Sequence, residues 1–236
     1  MLQGLTIAFD LDGTLVETAP DLTAAANHVL LRDGLDAVPP QLIRDQISFG
    51  ARAMIVKGIE VQGARRTPAE IDALLAHFLA HYEANIAVHS RPFPSVLAVL
   101  KNCRARGARL VVCTNKRAYL SEELLAALDM REHFAAIAGR DTFAVCKPHP
   151  DHLLGAIKMA GGNPQRSIMV GDSDTDISTA RSAGIPSIAV TFGYTDVPAV
   201  DLGATEVIEH YRDFDHALSR IMTKFFHLGR AGITTL

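Results

Sequence analysis

Beyond residue 90, short apolar runs alternate with longer stretches at helical spacing, while most of the region before it carries helical spacing alone. Leu5, Ile7, Ala8 and Phe9 form the one early apolar run and predict a short buried strand. Later runs at Arg109–Cys113, Phe134–Ala138, Ser167–Val170, Ser187–Val190 and Thr205–Ile208 predict five more. Helices fill the intervals. One runs from Ser95 to Arg106 and stops at Gly107, and a second covers Ala118 to Leu128. A third opens at Pro150 and ends before Gly161-Gly162, and another closes on Gly184 as a C-terminal glycine. The last spans Tyr211 to Phe226. Strands alternating with helices predict an α/β fold with a mainly parallel sheet sandwiched by helices.

Residues 17 to 90 lack this alternation. Pro20 sits in a first turn, and Leu22, Ala25, Ala26, Val29 and Leu30 follow on one helical face. Thr67-Pro68-Ala69-Glu70 is a capping box with proline in the first helical position. Ile71, Leu74, Leu75, Phe78, Leu79 and Tyr82 then recur at helical spacing. Shorter helical candidates lie at 40–47 and 50–60. The change of pattern divides the chain into an α/β core, 1–16 with 91–236, and a helical insertion, 17–90. The joints fall near Leu15–Thr18 and His89–Phe93.

Composition narrows the class. The chain has 236 residues, 48 % hydrophobic and 21 % charged, enough for a core domain plus a smaller insert. Its formal charge of −3 gives no reason to expect nucleic acid. No signal peptide and no apolar stretch of about 18 residues is visible, so a membrane is not expected as a partner. Cys103, Cys113 and Cys146 are odd in number and lack metal spacing, which suits reduced, mostly buried thiols in the cytoplasm.

The chemistry begins at the end of the first strand. Phe-Asp-Leu-Asp-Gly-Thr-Leu, residues 9–15, places Asp10 and Asp12 at a carboxyl edge, where open α/β sheets bind ligands. Side chains two apart on an extended chain point the same way. Gly13 lets the backbone turn, and Thr14 offers a hydroxyl to that turn. Two crowded acids repel unless a cation or proton intervenes, which suggests a metal. Three later segments supply partners: Thr114-Asn115-Lys116 after one strand, Lys147-Pro148-His149-Pro150, and Gly171-Asp172-Ser173-Asp174-Thr175-Asp176 after another.

Acid, hydroxyl, lysine and acid in that order resemble the four motifs of the haloacid dehalogenase-like hydrolase superfamily. The resemblance implies a Rossmann-like core with a helical cap inserted between the first and second motifs, closing over the site to exclude water. It implies an enzyme in which Asp10 attacks phosphorus to give an aspartyl-phosphate, while Asp12 serves as general acid and then base. Mg2+ is the implied cofactor, bound by Asp10, by the main-chain carbonyl of Asp12 and by Asp172, with Asp176 a further ligand or an anchor behind them. Thr114 and Asn115 would bind the phosphate. Lys147 would neutralise Asp10 and the transferring group. Asp174 falls between the acids and is expected in solvent.

Residues 12–22, 114–116, 146–150 and Arg91-Pro92-Phe93-Pro94-Ser95-Val96 look most like the phosphoglycolate phosphatase branch. Glu17 and Ser95 depart from the commoner Asp and Gly. The branch implies a phosphoric monoester hydrolase acting on a small phosphorylated metabolite, as a monomer or homodimer. A small phospho-acid would need a cation for its carboxylate, and Arg52 and Lys116 are the candidates. Phosphatases for sugar phosphates, nucleotides or pyrophosphate, and a phosphomutase, share the same motifs; a non-catalytic binding protein would not need all of them filled. Of the ten histidines, His77 and His81 have zinc-compatible spacing but no third ligand, and His149 is expected to shape its turn. The tail after Phe226 carries no motif.

Overall fold

The computed structural model describes residues 1–195 and 197–226. Residues 227–236, which the sequence division assigns to the core, lie outside the described residues.

Six parallel strands form the central sheet: β1 (Thr6–Phe9), β4 (Arg109–Cys113), β5 (Ala136–Ala138), β6 (Ser167–Gly171), β7 (Ser187–Val190) and β8 (Glu206–Ile208), in the order β5-β4-β1-β6-β7-β8. The chain order reverses around β1, flanked by β4 and β6, so the crevice for a ligand opens at its carboxyl end. Apolar residues alternate between the two faces. Ile7, Phe9, Leu110, Val112, Ile168 and Val170 enter one cluster, with Phe214, Leu218 and Ile221 of α8 (Phe214–Ile221). Ala8, Val111, Cys113 and Met169 enter the other, under Leu153, Ala156 and Ile157 of α6 (Pro150–Met159). Strands buried on both faces read as continuous apolar runs, which is why their positions are legible.

The helical cap inserted after the first motif contains α1 (Ala19–Arg32), α2 (Ala51–Glu60) and α3 (Pro68–Ala84). It has its own cluster, built on Leu22, Val29, Leu30, Met54, Ile55, Ile59 and Phe78. The capping box of α3 forms as its sequence demands, with Thr67 and Glu70 bonding reciprocally. The two passages between cap and core run side by side as an antiparallel ribbon of β2 (Val16–Glu17) and β3 (Arg91–Pro92). Asp21 of α1 fastens the second passage. Its buried carboxylate accepts from the amides of His89 and Ser90 and from the Ser90 hydroxyl, at 2.7–3.0 Å.

Three local expectations are revised. The helical candidate at 40–47 resolves into 3₁₀ turns, Pro40–Leu42 and Arg44–Phe49. Gly50 at φ 96° separates them from α2. The final helix begins as a 3₁₀ turn at Tyr211–Asp213 and ends as a π-turn at Met222–Phe226. Thr14 does not spend its hydroxyl on its own turn; it donates to Asp172, 158 positions away, at 2.9 Å. Ser95 occupies a left-handed conformation, φ 69°, where glycine costs least, and this explains why glycine is the commoner residue there.

Candidate active site

Four loop starts at the carboxyl edge of the sheet bring the predicted groups together. Asp10 follows β1 directly, and its main-chain N–H donates to the carbonyl of Val170 in β6, at 2.9 Å. Thr114 follows β4, Lys147 precedes α6, and Asp172 and Asp176 bracket the start of α7 (Asp174–Ser182). Asp10, Thr114, Lys147, Asp172 and Asp176 are all buried, at most 5 % exposed. Asp174 is exposed, as a solvated acid should be.

Lys147 is the hub. Its Nζ lies 2.9 Å from Oδ1 of Asp10 and 2.5 Å from Oδ1 of Asp176. Burial opposes its charge, but the carboxylates of Asp10 and Asp176 more than offset this and hold its pKa above the usual lysine range. The other oxygen of Asp176 accepts from the amide and hydroxyl of Ser173, at 3.1 and 2.8 Å. Asp172 accepts from the Thr14 hydroxyl at 2.9 Å and from the Tyr194 amide at 2.8 Å. These bonds orient both carboxylates toward the shared space between them.

Asp10 is different. Its Oδ1 is buried and makes no directed hydrogen bond, despite its closeness to the ammonium. Burial pushes its carboxyl up to about 7; Asp176 and Asp12 add to the rise and Lys147 opposes it. Burial, then Asp176 and Asp10, also raises Asp172 well above the carboxylate range. Ligand oxygens from Asp10, Asp172 and Asp176 can all lie within 4.8 Å of one another, the one such group of three or more among the described residues. Hard oxygen donors and three buried carboxylates against one lysine, with Asp10 Oδ1 making no directed hydrogen bond, fit a small divalent cation.

Above this layer opens a cleft of about 650 Å3, with Asp12, Asn115 and Lys116 on the core side and Met54, Phe78 and Tyr82 on the cap side. Asp12 accepts from the Thr18 hydroxyl at 2.7 Å and from Nζ of Lys116 at 3.2 Å. Lys116 also donates to the Tyr82 hydroxyl at 2.9 Å, so it joins the core to α3. Burial opposes the charge of Lys116 as well, and Asp12 and Tyr82 outweigh it to raise the pKa. Thr114 Oγ1 accepts the amide of Lys116 at 3.2 Å, which leaves its hydroxyl proton to donate elsewhere.

Two predicted roles need adjustment. The side-chain amide of Asn115 donates to the carbonyls of Ser48 and Lys147, at 3.2 and 3.1 Å, so it ties cap to core instead of pointing an amide at phosphate. Arg52 does line the cleft, but its guanidinium is ion-paired with Asp72 of α3. His149 caps α6, accepting the Asp151 amide at 3.2 Å. His81 stacks on His28 of α1, with ring centroids 4.0 Å apart.

Sequence reasoning missed Tyr82, Tyr194 and Arg140. Tyr82 reads as one more apolar position on the α3 stripe, and only its hydroxyl hinted otherwise. Arg140 follows β5 at the same sheet edge as the motifs and lines the cleft, a signal that position alone could have supplied. Tyr194 has no local signature.

A model of the haloacid dehalogenase-like hydrolase family matches residues 7–190. The chain belongs to that family. Two relatives called phosphoglycolate phosphatase are similar over most of their length. One, from Mesorhizobium japonicum, is 47 % identical over 87 % of this chain and 90 % of its own. The other, from Caulobacter vibrioides, is 42 % identical over 94 % of each. The crystal structure of a predicted phosphoglycolate phosphatase from Haemophilus somnus superposes with a TM-score of 0.86 at 28 % identity, covering 92 % of this chain and 99 % of that one.

Proposed function

We propose that the protein is a Mg2+-dependent phosphatase that hydrolyses 2-phosphoglycolate to glycolate and phosphate through an aspartyl-phosphate. The observation that carries this reading is the Asp10 carboxylate, buried at the end of the central strand with its Oδ1 2.9 Å from the ammonium of Lys147 and beside Asp172 and Asp176. The two relatives called phosphoglycolate phosphatase supply the choice of substrate.

Asp10 attacks phosphorus; a bond from its carboxylate oxygen forms as the ester P–O bond breaks. Asp12, at the floor of the cleft, delivers a proton to the departing oxygen, then takes one from the water that cleaves the acyl phosphate. Thr114 donates its free hydroxyl proton to a phosphoryl oxygen, and the main-chain N–H of Asn115 lies beside it. Lys147 holds its charge next to the nucleophile throughout, which favours the ionised form of Asp10 against the effect of burial and offsets charge on the phosphoryl group. Mg2+, held by Asp10, Asp172 and the carbonyl of Asp12 with Asp176 in support, would supply further positive charge at those oxygens.

Residues 17–90 act as the cap and 1–16 with 91–236 as the core, hinged at the ribbon of Val16–Glu17 and Arg91–Pro92. Arg52, at the rim of the cleft, is the cap-side cation for the substrate carboxylate once Asp72 releases it; Lys116 is the core-side alternative. The acidic net charge favours a small metabolite over nucleic acid. No described helix is long and apolar enough to cross a membrane. We place the activity in the cytoplasm, in a monomer or homodimer.

The test is phosphate release from a panel of phosphoglycolate, sugar phosphates, nucleotides and pyrophosphate, with and without EDTA. Phosphoglycolate should lead by at least about tenfold in kcat/KM, about 1.4 kcal/mol of transition-state preference. Isomer formation without free phosphate would favour a mutase instead.

A further inference from the structure

The first helix of the cap has no capping side chain of its own. Thr18 stands in the N-cap position of α1, yet its hydroxyl donates to Asp12 and makes no bond to the helix. Pro20 has no N–H, so the amides of Thr18 and Ala19 are the leading donors in need of a partner. Both donate to one atom, the phenolic oxygen of Tyr194, at 2.6 and 3.0 Å, and the Ala19 amide also reaches Oε1 of Glu17 at 3.3 Å. The phenol in turn donates a hydrogen bond to Oε1 of Glu17, 2.7 Å away.

The same tyrosine holds the site from its other end. Its main-chain N–H donates to Oδ2 of Asp172 at 2.8 Å. Gly193, next to it, packs so closely that an added Cβ would lie 2.1 Å from the Cβ of Asp172. Arg44, from the 3₁₀ turn of the cap, donates to the Gly193 carbonyl at 3.0 Å and lies 4.9 Å over the Tyr194 ring. The dipeptide Gly193-Tyr194 therefore touches the Asp172 carboxylate, the start of α1 and a second cap segment.

We propose that Tyr194 is a positioning residue that couples the cap to Asp172, so that the state of the carboxylate cluster and the seating of α1 change together. The proposal rests on Asp172 being a divalent-cation ligand. A shift of that carboxylate on taking the ion moves the 193–194 main chain, and the phenol carries the shift to the amides of Thr18 and Ala19. Linkage makes the effect reciprocal: a ligand that seats the cap strengthens binding of the ion.

Hydrogen exchange of the segment 17–22 in the full chain, with and without Mg2+, tests this. Tyr194→Phe keeps the ring and the main-chain N–H and loses only the hydroxyl. In the wild type Mg2+ should slow exchange at Thr18 and Ala19. In Tyr194→Phe that slowing should vanish while calorimetry still finds Mg2+ bound. KM for phosphoglycolate should rise about tenfold with kcat little changed, a split of about 1.4 kcal/mol. Arg44→Ala, at a half-buried position, should reduce the same Mg2+-dependent protection, and it carries the test if the phenylalanine variant does not fold. Full retention of that protection in the variants, or none in the wild type, overturns the coupling. Wild-type protection without turnover of phosphoglycolate would instead defeat the substrate assignment and leave the coupling standing.

Discussion

Nζ of Lys147 lies between two acids, 2.9 Å from Asp10 and 2.5 Å from Asp176, but only Asp176 receives a directed hydrogen bond from it. The lysine is anchored by the second acid and presented to the first. Lys147→Ala should lower kcat by about 10²–10³-fold, the usual cost of removing one preorganised charge or donor. Asp176→Asn should keep part of the activity, because the lysine loses its anchor but not its charge. Steady-state rates on phosphoglycolate check both.

In the proposed mechanism Asp12 protonates the leaving group, so the value of its proton depends on how badly that group needs one. Asp12→Ala should cost about 10²–10⁴-fold on phosphoglycolate, whose alkoxide is a poor leaving group. In kcat/KM, which reports the phosphoryl-transfer step, the loss should be much smaller on p-nitrophenyl phosphate. Equal losses in kcat/KM on the two esters would remove Asp12 from protonating the leaving group.

The raised carboxyl of Asp10 makes a prediction about stability. Its folded pKa, pushed up by burial to about 7, exceeds the unfolded value near 3.8. The contribution of Asp10 to stability is therefore fully present below pH 3.8 and is lost as pH rises through 7. Metal-free protein should lose thermal stability over that window, and Asp10→Asn should flatten the loss. Added Mg2+ should raise Tm more at pH 8 than at pH 5, because fewer protons must leave. Melting curves with EDTA and with Mg2+, at both pH values, decide it.

Arg52 should matter only to substrates with a second anionic group. Arg52→Ala is expected to reduce kcat/KM for phosphoglycolate by about tenfold or more while sparing p-nitrophenyl phosphate. Asp72→Asn, which frees the guanidinium from its ion pair, should leave the preference intact or sharpen it. Parallel losses on both substrates in Arg52→Ala would assign the arginine to cap packing.

The sheet was legible because its strands are buried on both faces. Arg109–Cys113 and Ser187–Val190 coincide with their apolar runs residue for residue. The acids and Lys116 were legible because each follows such a run within a few positions, at one edge of the sheet; Lys147, well beyond Ala138, was legible through its Lys-Pro-His-Pro setting before α6. What escaped depends on distance. Nothing near Thr18 announces that its amide will meet Tyr194, 176 positions on, and nothing near Thr14 points to Asp172. Segment 40–47 misled for a local reason: the backbone leaves helical geometry at Ile43, φ −131°, and Gly50 ends the run with a positive φ, so helical composition yields only 3₁₀ turns.

The account rests on Asp10 carrying the phosphoryl group. Rapid acid quench of the enzyme turning over phosphoglycolate, followed by mass spectrometry of its peptides, reads this directly. One phosphoryl group should appear on the peptide containing Asp10 and be absent in Asp10→Asn. Phosphate on any other residue, or undiminished hydrolysis by Asp10→Asn, would contradict it.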